Sequence, residues 1–342
     1  MKVLVIQIAA AGDFLMATPA LRALKRADGV AAVILLTGDS QRELVQGNPS
    51  LDRVFYLNDR RPFRCASIRR TAGMIRMALR LRREKFALGL NFQRHHRRHF
   101  ILFLAGCKKR IGFIGRRGSL FLTDAVGIED GKHHVFQYCD LLKGLGIFCL
   151  DFKLEFPLSQ ADLAAAAEKF LKPESLDEYV VIAPGGAAHS ERTMETRRWP
   201  AANFAALAGL LARDGQRVVL LGSKDDVPLS ASIKAAQPQV VDWTGKTTLG
   251  EAAALMKRAR LVVCNDSGPL HLADAAGARV IAIFGPSHPG ESKPLSAGNI
   301  AVWKGEDMEC SPCCRDGIFP GCNQVSCLRK ITPQEIFDLI TK

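Results

Sequence analysis

The chain has no apolar run approaching the roughly 20 residues needed to cross a bilayer, so a membrane-spanning helix is excluded. Aromatics are scarce, at 7% of 342 residues with three tryptophans and three tyrosines, and the first half offers mainly isolated phenylalanines. That argues against the stacking platforms on which nucleic acid strands are held. The N-terminus faintly imitates a secretion signal, because Val3 to Ala11 is apolar, follows a lysine and ends in Ala9-Ala10-Ala11. Gln7 interrupts that run and only Lys2 supplies charge, so a buried first strand, Val3-Leu4-Val5-Ile6, explains it better. What remains is a chain 48% hydrophobic and 24% charged, long enough for two domains of ordinary size, each with its own core.

Acidic residues are short in one half only. Residues 1–150 hold 26 Lys and Arg against 11 Asp and Glu, whereas the remainder holds 21 against 23, so the first half carries the whole net charge of +13. The excess concentrates at Arg60-Arg61, Arg64, Arg69-Arg70, Arg76, Arg80, Arg82-Arg83, Arg94 to His99, Lys108 to Arg110 and Arg116-Arg117. Such a field suits a polyanionic partner: nucleic acid, an acidic membrane surface or a phosphorylated substrate. Arg76 to Arg83, at helical spacing, also reads as a solvated helix face.

Ten cysteines in so long a chain do not make a small disulfide scaffold. Cys65, Cys107, Cys139, Cys149 and Cys264 scatter, mostly in apolar settings where cysteine acts as a small core residue. The other five form Cys310-x2-Cys313-Cys314-x7-Cys322-x4-Cys327 in a loop rich in Gly and Pro. Its short spacings suit a thiolate site for zinc or iron with Cys310, Cys313, Cys322 and Cys327 as ligands, while disulfides or reduced thiols fit them too.

Apolar runs at Val3–Ile8, Val30–Leu36, Val54–Leu57, Ala87–Phe92, Tyr179–Ala183, Arg217–Leu221, Leu261–Cys264 and Val280–Phe284 alternate with helical patterns. Alternation of this kind predicts an α/β protein with two parallel, doubly wound sheets. The expected domains are 1–165 and 175–330, the second containing the cysteine loop 310–327, with a closing helix over 332–342 opened by Thr332-Pro333.

Ligands of open α/β sheets collect at the carboxyl ends of strands, and the suggestive motifs all lie there. Asn265-Asp266-Ser267-Gly268-Pro269-Leu270-His271 follows a strand and opens a helix. Asp266 or Ser267 can cap that helix, Gly268 admits a close approach, and Pro269 suits the first turn; the free N–H groups then face an anion, with His271 on the same side. An ordinary capped helix is the plain alternative. Gly12-Asp13, Pro184-Gly185-Gly186, Gly222-Ser223-Lys224-Asp225 and Gly285-Pro286-Ser287 occupy equivalent strand exits. Glycine after a strand is often just a turn, but four such exits in the second half favour a nucleotide or phosphate pocket.

Together these motifs, with Thr18-Pro19-Ala20-Leu21, Arg197-Arg198-Trp199-Pro200 and Gly245-Lys246-Thr247, resemble glycosyltransferase family 9, the heptosyltransferases of the lipopolysaccharide inner core. The resemblance covers nearly the whole chain. It implies a GT-B type fold, two Rossmann-like domains facing a central cleft, with the acceptor on the first and the sugar nucleotide on the second. It implies an inverting transfer of heptose from ADP-L-glycero-D-manno-heptose, with Asp13 as general base and no cofactor required for catalysis. Asp13 also reads as a helix cap. The donor would be held by Gly185, Gly186, Arg197, Ser223, Asp225, Lys246, Thr247, Asp266, Ser267, Gly268 and His271. The acceptor, an acidic phosphorylated glycolipid, would meet Gly12, Arg60, Arg61 and Arg64.

The same resemblance places the protein in the cytoplasm, peripheral to the inner membrane, with no nucleic-acid partner. Residues Arg64 to Leu81 mix Met74, Ile75, Met77 and Leu79 with arginines, as a helix resting on an anionic bilayer or one with an arginine-rich outer face would. Two features depart from the family pattern: the long segment between Gly186 and Arg197, and His288 where an acidic or small residue is common. A protein acceptor such as an autotransporter, another nucleotide-activated sugar, and a non-catalytic basic protein that binds polyanions are the alternative readings.

Overall fold

The computed structural model describes residues 1–8, 10–58, 68–115, 118–186, 194–314, 322 and 324–342, with backbone alone over 68–72. The chain divides into Met1–Pro157 and Leu158–Lys342.

The first unit carries a six-stranded parallel sheet built from β1 (Lys2–Ile6), β2 (Ala32–Gly38), β3 (Arg53–Leu57), β4 (Leu88–Asn91), β5 (Lys109–Phe113) and β6 (Asp124–Val126), ordered β3-β2-β1-β4-β5-β6. Its helices are α1 (Ala11–Arg26), α2 (Arg42–Val45), α3 (Ile68–Arg82), α4 (His96–Leu104) and α5 (His134–Lys143). Val3, Leu4, Val5 and Ile6 are all fully buried, as a strand covered on both faces by helices requires. Leu4, Ile6, Ile34 and Leu36 meet Phe55, Phe86, Ile101 and Leu102 in the core. Pro19 lies inside α1 and cannot donate to the carbonyl of Leu15, so the Thr18 hydroxyl does (2.6 Å). The same hydroxyl accepts from the Glu155 N–H (3.0 Å), which gives Thr18-Pro19 a structural reason. Met74 and Met77 of α3 face the core while Ile75 and Leu79 face outward, beside exposed Arg76 and Arg80.

The second unit repeats the plan with β7 (Val180–Ala183), β8 (Val218–Leu220), β9 (Val241–Asp242), β10 (Leu261–Asn265), β11 (Val280–Ile283) and β12 (Ile300–Val302), ordered β12-β11-β10-β7-β8-β9. Its helices are α6 (Gln160–Ala166), α7 (Lys172–Glu174), α8 (Ala201–Arg213), α9 (Val227–Ala236), α10 (Leu249–Arg258), α11 (Gly268–Ala276), α12 (Pro289–Ser292), α13 (Ser326–Arg329) and α14 (Pro333–Thr341). Trp199 anchors the core, its ring edge-on to Phe204 at 4.9 Å and its indole N–H on the Ile331 carbonyl (3.0 Å). The closing helix α14 packs on α8 through Ile336 and Ile340.

The division at Pro157 comes earlier than residue 165 because α6 belongs with the second unit. It packs on α10; beyond it Phe170 stacks on Trp243 and Lys169 pairs with Glu251. β5, β6, β9 and β12 were not among the expected strands; β9 and β12 are edge strands of two and three residues. β5 opens with Lys109-Arg110 and β6 is a three-residue edge, so neither shows an apolar run.

Candidate functional site

In the second unit the exits of β7, β8, β10 and β11 are tied to one another by side chains. Asn265, fully buried at the end of β10, accepts from the Trp199 N–H (2.9 Å) and donates to the carbonyls of Pro184 (2.7 Å) and Gly185 (3.2 Å). Asp266 follows with 2% of its surface exposed. One of its oxygens accepts from Arg197 and from the Ser287 hydroxyl, the other from the Ser292 hydroxyl (3.2 Å). Burial pushes this carboxyl up, but the Arg197 charge, the Ser287 hydrogen bond and the nearby His271 outweigh it and hold it below the ordinary aspartate value.

The helix that follows was expected to be capped by Asp266 or Ser267. Ser267 does occupy the N-cap position, yet no side chain caps α11: its hydroxyl donates back to the Asn265 carbonyl (3.3 Å), while Asp266 faces Arg197. Among the described residues no side chain caps the positive end of α11. A Cβ added to Gly268 would meet nothing within 4 Å, so open space lies over the first turn. A Cβ on Gly186 would fall 2.3 Å from the Ser267 hydroxyl oxygen, and Gly186 has φ of +83°, so only glycine lets the β7 exit lie against this N-terminus. An uncapped helix start beside the half-buried Arg197, with room above Gly268, is suited to an anion.

The β7 turn has its own lock. Arg198 donates twice to the Gly186 carbonyl (3.0 and 2.7 Å) and once to Asp226 (2.9 Å). Asp226 accepts in addition from the Gly186 N–H (3.3 Å) and from the N–H and hydroxyl of Ser223 (3.0 and 2.7 Å). The cysteine loop reaches the same region, since the N–H groups of Cys313 and Cys314 both donate to the Pro286 carbonyl (3.0 Å). The Cys314 thiol, pushed up to about 11 chiefly by burial, feels the charges of Arg197 and Asp266.

In the first unit Asp13 stands on the first turn of α1, behind Ala10 at the N-cap, so it does not cap the helix. Its charge acts on Tyr138, whose hydroxyl is held far above its ordinary value first by burial and then by Asp13, with Arg94 and Gln7 opposing. The Arg94 guanidinium donates to Gln137 (3.1 Å), and Gln93 joins the exits of β1 and β4 by accepting from the Ile8 N–H (3.3 Å).

Residues 74–318 match the model of glycosyltransferase family 9 (heptosyltransferase). The chain belongs to glycosyltransferase family 9. It is 40% identical over 226 residues to lipooligosaccharide heptosyltransferase 2 of Haemophilus influenzae, a stretch covering 63% of this chain and 64% of that one. It shares the fold of the structure of E. coli ADP-heptose lps heptosyltransferase II, with a TM-score of 0.79 at 22% identity over 100% of this chain and 98% of that chain. A family 9 glycosyltransferase from Veillonella parvula superposes with a TM-score of 0.82 at 21% identity over 99% of this chain and 97% of that chain. The fold is of GT-B type.

For a family 9 chain, the expected donor residues divide by what they do here. Arg197, Asp266, Ser267, Gly268, His271, Gly185 and Gly186 gather around the start of α11. Ser223 is exposed and engaged with Asp226, and Asp225 points to solvent, so the carboxylate that orders this turn is Asp226. The Ser223-x-x-Asp226 spacing of a capping box is its sequence signal. Lys246 is exposed and donates to the Asp242 carbonyl (2.7 Å), next to half-buried Thr247; the Gly245 N–H on the Gly222 carbonyl (2.9 Å) brings their loop to the Ser223 turn. Ser287, absent from the expected set, binds Asp266 directly. His288 caps α12, its Nδ1 accepting from the Gly290 N–H (2.9 Å). Gly12 is half-buried on α1; Arg60, Arg61 and Arg64 lie outside the described residues.

Cys310, Cys313, Cys322 and Cys327 line one cavity of about 110 Å³ with Thr196 and Pro286. Among the described residues no three His, Cys, Asp or Glu side chains are grouped so as to hold a metal ion, and no disulfide is formed.

Asp266 carries a testable consequence for stability. Its folded-state pKa is depressed, so its contribution is present above the unfolded value and is lost as pH falls through the folded one. Asp266→Asn leaves Arg197 without its carboxylate and should cost about 3 kcal/mol in urea unfolding at pH 7. The gap from the wild type should be smaller in acid, once pH has fallen through the depressed folded-state value, than at pH 7. An equal gap at both pH values would contradict the ion-pair account.

Proposed function

We propose that the protein is an inverting transferase that moves heptose from ADP-L-glycero-D-manno-heptose to the inner core of lipopolysaccharide. The observation that carries the donor half is the uncapped start of α11, open above Gly268 and flanked by Arg197, Ser287 and the Gly185-Gly186 turn. The chain spans 64% of the length of its Haemophilus influenzae relative, and its likeness to that lipooligosaccharide heptosyltransferase and to the E. coli ADP-heptose lps heptosyltransferase II supports the choice of sugar and acceptor.

In the proposed reaction Asp13 takes the proton of an acceptor hydroxyl as that oxygen attacks the anomeric carbon of the donor. The bond from that carbon to the β-phosphate oxygen breaks, and the electron pair leaves on ADP. One displacement inverts the anomeric centre. Negative charge grows on the departing diphosphate, where the N–H groups at the start of α11 and the Arg197 guanidinium take it up as preorganised donors. Arginine suits this place because its planar fork engages two phosphate oxygens while still facing Asp266. The acceptor is an acidic phosphorylated glycolipid, which places the protein peripherally on the cytoplasmic side of the inner membrane.

The cysteine loop supports a second, separate proposal on donor chemistry alone. Soft thiols around one cavity suit a structural zinc or iron ion, which would draw Cys310, Cys313, Cys322 and Cys327 inward and deprotonate them.

Three measurements test these proposals. Asp13→Asn should lower kcat by about 10²–10⁴-fold with ADP affinity intact, and an unchanged turnover would refute its role as base. Arg197→Ala should weaken ADP binding at least about tenfold by calorimetry, with Arg197→Lys intermediate because it keeps charge without the fork; wild-type affinity in both variants would remove Arg197 from the phosphate site. Elemental analysis of protein purified without added metal should find about one zinc or iron per chain; free thiols with no metal reject the loop site.

A further inference from the structure

The first unit carries an apolar projection that the transfer reaction does not use. Phe103 of α4 is 48% exposed, and the connection from β5 to β6 presents Leu120 at 61%. Phe121 joins them with its ring 5.0 Å from Phe100 and 5.4 Å from Phe103. Its φ of +72° is a left-handed backbone that a bulky residue avoids, so the fold accepts a local cost to set this ring among the other two. Arg110 secures the arrangement from beneath: it donates to the carbonyls of Phe121 and Cys107 (both 2.7 Å), with its guanidinium 5.7 Å from the Phe103 ring centre.

The surroundings are basic. Lys108 is exposed at the foot of the same connection, and Arg97 is exposed on α4. Helix α3, which packs on α4, has five arginines and no carboxylate among its fifteen residues, with Ile75 and Leu79 facing outward beside Arg76 and Arg80. Aromatic and aliphatic tips rising from a field of cations match the boundary of an anionic bilayer, where the tips enter the acyl edge and the cations meet headgroups.

We propose that Phe103, Leu120 and Phe121, with Lys108 and the exposed arginines of α3 and α4, form the surface by which this protein docks on an anionic lipid bilayer. The proposal rests on the peripheral-membrane reading above and names the surface responsible. A flat interfacial contact of this size gives reversible association that depends on both apolar burial and charge.

Vesicle co-sedimentation tests it with the full chain. The protein should bind vesicles of phosphatidylcholine with about one third phosphatidylglycerol, bind pure phosphatidylcholine at least about tenfold more weakly, and lose binding as salt is raised. Leu120→Glu and Lys108→Glu should each weaken binding to the anionic vesicles about tenfold or more, with unchanged circular dichroism. The tryptophan of Leu120→Trp should be quenched by lipids brominated near the headgroup end of the acyl chain. Equal binding by the substituted proteins, no quenching, no binding to anionic vesicles at low salt, or self-association through this face in light scattering would each overturn the proposal. ADP titration of the same samples separates the two readings: intact ADP binding without vesicle binding removes the docking surface alone, and vesicle binding without ADP binding supports the surface while removing the transferase reading.

Discussion

The site in the second unit depends on a carboxylate that has been taken out of water. Asp266 at the exit of β10 is almost wholly buried, and a carboxylate so placed must be matched by charge and hydrogen bonds or lose its ionisation. Arg197, Ser287 and Ser292 supply the match, the arginine from the connection after β7 and both serines from the connection after β11. Keeping Asp266 ionised therefore fixes the strand exits against one another. Because Asp266 is committed to Arg197 and Ser267 to the Asn265 carbonyl, neither caps α11, and the free helix start is a by-product of the same ion pair.

Arg197 and Arg198 act as a splayed pair. They are consecutive, yet each serves a different buried carboxylate: Arg197 reaches Asp266 after β10, and Arg198 reaches Asp226 after β8. Trp199 comes next and is held by Asn265 through its N–H and by Ile331 through its indole, so the backbone between the two arginines and the core has little freedom. One short stretch thus fixes the distance between two strand exits, and the Gly185-Gly186 turn lies between them. The glycines follow from that crowding, since a Cβ on Gly185 would stand 2.1 Å from the Asp226 carboxyl.

Much of this was legible in the sequence, because parallel strands buried on both faces leave continuous apolar runs and ligand turns follow them. β1, β2, β4, β7, β10 and β11 were readable for that reason, and Asp266 and Gly186 stood out at strand exits, whereas Arg197 was picked out only by the family resemblance. β5 was not, because its first residues are cationic and its neighbours rather than its composition make it a strand. Asp226 was passed over for Asp225, although a serine three residues before an aspartate is a capping signal in the sequence. Which hydroxyl or carboxylate turns inward depends on tertiary crowding, and Ser287 and the uncapped state of Ser267 belong to that class. Asp13 lies between: its place on the first turn of α1 could be read, whereas the nearby Tyr138, from α5, could not.

The charge asymmetry has a physical explanation in the way each unit meets anions. The anion site proposed for the second unit offers fixed dipoles and one arginine already paired to a carboxylate, so it adds no net charge, and residues 151–342 hold 21 cations against 23 anions. Such a site acts over hydrogen-bond distance and requires the ligand to be seated. The first unit carries an excess of arginines and lysines, 26 against 11 acidic residues over 1–150, and a field of that kind reaches about a Debye length into solution and needs no specific pose. Fixed dipoles suit a small diphosphate that must be bound in one orientation. A diffuse cationic field suits an extended, multiply charged partner whose position along the surface is settled only after it arrives.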